Sequence, residues 1–236
     1  PSAADRMFLQ TASQGDRFEV ATGELATQIT RDAQTPPAKT LATMAGKLVA
    51  DHQRSQQRLT RLAQGLHVRV STQPDPVQQF LVTQLASYAA SLASATHGTA
   101  GDQTSTNGTT TSGGVTTNGG SMGSEGGKKG SNGEHAPAPS TTTNPSMVTV
   151  QSFRGFYLRL QVAVHQQAIV DYSTIAVATR NAAVRAYACH SLPVLRRHLE
   201  TVQRAIGSAQ PALAMSGGQA LAGKVSAACK SATPSG

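Results

Sequence analysis

The sequence predicts an all-α fold, an up-down bundle of four long helices, and three observations carry that expectation. Four stretches repeat inward-type residues at alternating spacings of four and three, which traces one face of an α-helix. Large rings are scarce, with five Phe, four Tyr and no Trp, so the core must be built mainly from Ala, Leu and Val. Such a core suits close-packed helices better than a β-sandwich. The hydrophobic fraction is only 38% of 236 residues, so part of the length stands outside any core.

The first helix is expected over residues 5–29, where Phe8, Ala12, Gly15, Glu19, Thr22, Ala26 and Ile29 share a face. Thr35-Pro36-Pro37 ends it, because proline cannot continue a helix and restrains the residue before it. The second helix carries the clearest stripe: Leu41, Ala45, Leu48, His52, Ser55, Leu59, Leu62 and Leu66. Lys47, Asp51, Gln53, Arg54, Gln57, Arg58 and Arg61 lie between them and form its polar face. The short loop between these helices makes them an antiparallel αα-hairpin. After Gln73-Pro74-Asp75-Pro76, residues 77–92 form a shorter connecting helix with Val77, Phe80, Leu81, Leu85, Tyr88 and Leu92 as its apolar set.

Composition then changes. Residues 96–146 hold more than half of the chain's 22 glycines among repeated Thr, Ser and Asn, with no aromatic residue. Such a Gly/Ser/Thr-rich insert buries too little apolar surface to offset its ordering entropy, so alone it is flexible. Its expected role is contact with another protein or with a second copy of this chain, the usual use of a long unstructured loop that is kept. The third stripe is Leu158, Val162, His165, Ile169, Tyr172, Ala176 and Thr179. A turn near Arg180-Asn181 leads to the fourth: Val184, Ala188, Ser191, Leu195, His198, Val202 and Ala205. Pro193 is expected to kink or restart this helix, with Ser191 as a candidate N-cap. The bundle domain thus covers residues 4–206, interrupted by the insert, and residues 207–236 form an irregular Ala/Gly/Ser-rich tail.

The net charge is +8 with an isoelectric point near 10.0, which favours anionic partners. The cations are dispersed, however. Arg54, Arg58 and Arg61 line one side of a helix, Lys128 and Lys129 sit in the insert, and Arg196 and Arg197 lie near the end. No aromatic residues interleave with them as a single-strand groove requires, so nucleic acid is not the expected partner. No apolar run is long enough to cross a bilayer. A cleaved signal peptide would leave a start like Pro1-Ser2-Ala3-Ala4, though no such peptide is visible. Cys189 and Cys229 fit no CxxC or zinc-ligand spacing. In an exported protein they make one disulfide, and in a cytosolic one two plain thiols.

Catalytic motifs are absent. There is no G-x-S-x-G elbow, no Gly-Lys-Ser/Thr phosphate loop and no evident activating surroundings for either cysteine, so no catalytic residue is assigned. One polar feature stands out. Glu19, His52, His165 and His198 each fall on the inward stripe of their own helix. Glu19 and His52 lie 15 and 18 residues either side of a turn near residue 34, and His165 and His198 lie 16 and 17 either side of a turn near residue 181. At about 1.5 Å per residue these positions share one level of the bundle. Three imidazoles and a carboxylate suffice to hold Zn²⁺ or another transition metal. The same four groups also suit a buried hydrogen-bond layer that fixes helix register. His67, His97, His135 and His190 lie at segment ends or in the insert, where exposure is expected.

Short signatures along the chain form an ordered set. They are Asp5-x-x-Phe8-Leu9 with Glu19; Leu48-Val49-x-Asp51-His52 followed by Leu59; Phe153-x-x-x-Tyr157-Leu158 then His165; and Leu192-Pro193-x-Leu195-x-x-His198-Leu199. In order and spacing the set resembles the bacterial domain-of-unknown-function family 4142, over about residues 4–92 and 150–206. The resemblance implies a ferritin-like bundle exported to the periplasm or cell surface, with no established activity. Here Phe153-Arg154 replaces the family's usual Phe-Asp, and the long insert replaces a direct connection.

An oxidising compartment would join Cys189 to Cys229. A ferritin-like bundle also raises a di-iron centre, which needs Glu-x-x-His on two helices. Val49 and Leu195 occupy the carboxylate positions before His52 and His198, so a standard di-iron oxidase is not expected. The resulting expectation is a non-enzymatic exported protein, a structural or accessory subunit of an envelope or extracellular assembly. The alternative is a ferritin-like protein that binds zinc or iron in its Glu/His layer for redox or storage.

Overall fold

A computed structural model describes residues 1–31, 35–97, 149–207 and 218–231. The expected interaction segment at residues 96–146 lies almost wholly outside them, and so does His135. The described residues form six helices and no strand: α1 Ala3–Thr30, α2 Pro36–Gly65, α3 Pro76–His97, α4 Val150–Ala178, α5 Ala182–Ile206 and α6 Gly218–Lys230.

Local chemistry sets the helix ends. Ser2 and Asp5 form a reciprocal capping box on α1, Thr149 and Ser152 do the same on α4, and the Asn181 carboxamide accepts from the first amides of α5. Pro36 opens α2, where its missing N–H costs nothing. Gly207 ends α5 in the left-handed region at φ 76°, which a residue without Cβ adopts freely.

Cross-helix contacts give the directions. Asp16 meets His52, Phe8 meets Tyr172, Ser55 meets Tyr187 and Asp51 meets His198. Helices α1 and α5 therefore run one way, and α2 and α4 the other, around a ring ordered α1-α2-α5-α4. Two antiparallel hairpins face each other. The 22-residue α3 supplies the return between them, about 33 Å along the outside of the bundle. Leu85 and Leu92 of α3 are buried against the bundle, whereas Val77 and Phe80 are exposed. At Gly23, α1 approaches α2 so closely that a Cβ would lie 2.5 Å from Val49 Cγ2.

Two apolar clusters fill the interior. One holds Phe8, Leu9, Leu59, Tyr172, Val184 and Leu192, and the other Leu41, Leu48, Leu85, Phe153, Tyr157 and Val202. Burying each such side chain stabilises the fold by about 1.5–3 kcal/mol. Between the clusters lies a polar waist of Asp16, Glu19, His52, Gln161, His165 and His198, all buried. The apolar layers on both sides offset the desolvation of this waist.

The structure corrects four expectations. Helix α5 continues through Pro193, giving up only the bond that proline cannot donate to the Cys189 carbonyl. Ser191 is not a cap; it sits mid-helix and its hydroxyl donates to the Tyr187 carbonyl at 2.9 Å. The tail is not irregular throughout, because Gly218–Lys230 is helical and packs on α4 and α5. Asp51 is not part of the solvent face: its side chain is 15% exposed and turns toward α5. The Cys189–Cys229 disulfide is formed, with Cα atoms 5.4 Å apart. No described helix is long and apolar enough to cross a membrane.

Candidate metal centre

Three of the four expected ligands converge. His52 enters from α2, His165 from α4 and His198 from α5, with exposures of 5%, 1% and 4%. One ligand nitrogen of each lies within 4.8 Å of the other two, and the ring centroids are 5.3–5.6 Å apart. Glu19, from α1, is buried at the same level but outside this triad. Its Oε1 lies 3.8 Å from His165 Nδ1. His67 and His190 are exposed, as expected.

Each imidazole is held at its outer nitrogen. His52 Nδ1 donates to Asp16 Oδ1 at 2.8 Å, and His198 Nε2 donates to Asp51 Oδ2 at 2.8 Å. His165 Nδ1 donates to the Gln161 carbonyl at 2.9 Å, one turn back along its own helix. Because these partners only accept, they fix a proton on the outer nitrogen and, in a neutral ring, leave the other nitrogen as a lone pair. This is how metal-ligating histidines are oriented: the free nitrogen faces the ion and the second N–H is tied to an acceptor.

A proton count sharpens the point. The chain Gln161 C=O, His165, His198, Asp51 has three gaps but only two N–H groups when both rings are neutral. The acceptors at its ends take both. His165 Nε2 and His198 Nδ1 then face each other at 3.3 Å with no proton between them. Both rings are indeed held toward neutrality. Burial, then the neighbouring His52 and His198, keeps His165 well below the ordinary histidine range. Burial likewise brings His198 down to about 4 against the pull of Asp51. Two lone pairs at 3.3 Å repel unless a cation lies between them. Two nitrogens on a tetrahedral Zn²⁺, at Zn–N distances of about 2.0–2.1 Å, stand about 3.3–3.4 Å apart.

His52 behaves differently. Burial opposes its charged form, but the Asp16 hydrogen bond and the charges of Glu19, Asp16 and Asp51 outweigh that and raise its pKa. Its Nε2 is buried without any partner. Asp16 Oδ2, Glu19 Oε2 and Gln161 Oε1 are also buried and unpaired. Burial pushes the Glu19 carboxyl up to about 7. A cavity of about 20 Å³, room for one water, opens beside the waist and is bordered by Asp16, Asp51, His52, Ser55, Arg58 and His198.

Asp16, Asp51 and Gln161 were not among the residues expected at the site. Asp16 stands three residues before Glu19 and Asp51 directly before His52, so each was adjacent to a named residue. Each lay off the four-three register that picked the others.

No curated protein and no solved structure matches this chain. Asp16, Glu19, Asp51 and His52 fall in the segment that has family support, while His165 and His198 lie beyond it. Residues 1–91, carrying α1, α2 and most of α3, match the family model described as a domain of unknown function, DUF4142, the family that the motifs resemble.

Proposed function

We propose that this protein is a metal-binding helical bundle that holds one divalent, nitrogen-preferring transition ion, Zn²⁺ foremost, on His52, His165 and His198. The carrying observation is the inward convergence of three buried imidazoles, each tied at its outer nitrogen to an acceptor. A self-sufficient hydrogen-bond layer is the weaker reading, because it leaves His52 Nε2 buried without a partner and His165 Nε2 facing His198 Nδ1 with no proton between them. Imidazole donors suit Zn²⁺, Cu²⁺ or Ni²⁺, and two flanking carboxylates offset a double positive charge. No reaction is assigned; the function is binding. The disulfide favours an oxidising compartment, which supports export to the periplasm or cell surface as part of this reading.

Elemental analysis of the full-length protein after equilibration with Zn²⁺ and removal of free metal tests the reading. One ion per chain is expected, with clear loss in each of His52→Ala, His165→Ala and His198→Ala. A wild-type chain that retains no zinc, copper or nickel would return the waist to a purely structural role.

A further inference from the structure

Resting on the metal-binding reading, we propose that the centre is open: the ion's fourth coordination position is left to an exogenous ligand, water or a small monodentate anion. Three donors converge among the described residues, whereas a tetrahedral ion takes four. The helix that contributes none is α1, and its two inward carboxylates at this level are placed elsewhere. Asp16 holds His52 Nδ1. Glu19 approaches the cluster at His165 Nδ1, the nitrogen that donates to the Gln161 carbonyl and faces away from the other two rings. Its carboxylate therefore stands behind the His165 ring, not in front of it. Structural zinc sites are closed by four protein ligands, while sites that exchange a ligand keep three.

A small cavity lies beside two of the three donors, on the side of Asp16 and Asp51. It borders His52 and His198 and is large enough for one water. Arg58 and Ser55 stand on its wall, and the Arg58 Nε atom is buried without a partner. The Arg58 guanidinium adds positive charge beside the cavity, and Arg54 already pairs with Asp51. Positive charge there favours a small anion.

The test uses the full-length chain loaded with Co²⁺, whose visible bands report coordination number, and titrated with sodium azide. An open centre gives a saturable change in the Co²⁺ bands at one azide per ion. Arg58→Ala should weaken azide binding by about tenfold, the loss expected for one charge-assisted contact. Bound Co²⁺ with bands that azide leaves unmoved overturns the open centre while metal binding stands. Failure to take up Co²⁺ overturns both.

Discussion

Asp51 and His52 are neighbours in sequence but serve different imidazoles, one orienting His198 and the other itself held by Asp16. Asp51 also pairs with Arg54 one turn along α2, and its carboxyl stays below its ordinary value. Burial acts against that lowering, and the His198 hydrogen bond and the nearby charges outweigh it. Asp51→Asn removes the charge that fixes the His198 tautomer while keeping the shape. Orienting partners of this kind are worth about 10–100-fold in metal affinity. Competition against a chromophoric chelator should show Zn²⁺ affinity falling within that range; an unchanged affinity would remove Asp51 from the site. Its role was illegible in the sequence because it borders the apolar stripe, where an acidic residue reads as solvent-facing. The histidines were legible for the opposite reason: each sits where Leu or Ala would otherwise be.

Among the elements, the two hairpins followed directly from the four-three rhythm and the proline breaks, and their bounds agree to within a few residues. What escaped was cooperative. Helix α6 has only 13 residues, Gly223, Val225 and Ser226 among them, so it is marginal by itself despite its alanines. Its apolar residues Leu221, Val225 and Cys229 recur every four positions and pack on the cluster around Tyr172 and Val184. The disulfide then fastens that short helix to α5. Closing a loop of 40 residues stabilises by about 3–4 kcal/mol in the chain-entropy model. The Cys189→Ser/Cys229→Ser double variant should have an unfolding free energy lower than the wild type by about that amount. Amide exchange should accelerate first in α6, with the four long helices still protected. Equal exchange throughout would show that α6 is integral to the bundle without its staple. Pro193 is the complementary case: local preference argued for a break, and packing of Leu192, Leu195 and Leu199 kept the helix whole.

For the whole molecule, the waist makes stability depend on pH in a way the apolar clusters alone would not. In the metal-free protein His165 and His198 stay neutral when folded, below their ordinary 6.5, but take up protons when unfolded. Acidification through that range therefore favours the unfolded chain. Glu19, pushed up to about 7, keeps a proton that the unfolded chain has lost above 4.5, and His52 keeps one above 6.5. Between pH 4.5 and 6.5 two groups outweigh one and stability rises with pH. Above 6.5 only Glu19 and His52 remain, and stability declines. Thermal unfolding of chelator-treated protein should peak near pH 6.5; a midpoint climbing steadily to pH 8.5 would contradict this assignment of charge.

At the same scale, the proposed metal centre would tie together three helices that the chain delivers from both hairpins, one histidine from the first and two from the second. That arrangement depends on the return through α3 and on both hairpins docking in the register described, so locating the ion tests fold and site together. Anomalous diffraction at the zinc edge from crystals of the full-length protein grown with Zn²⁺ is the most direct measurement. The structure predicts one dominant peak about 2.0–2.1 Å from a nitrogen of each of His52, His165 and His198. A peak at exposed His67 or His190 with none inside the bundle, or no peak at all, would contradict it.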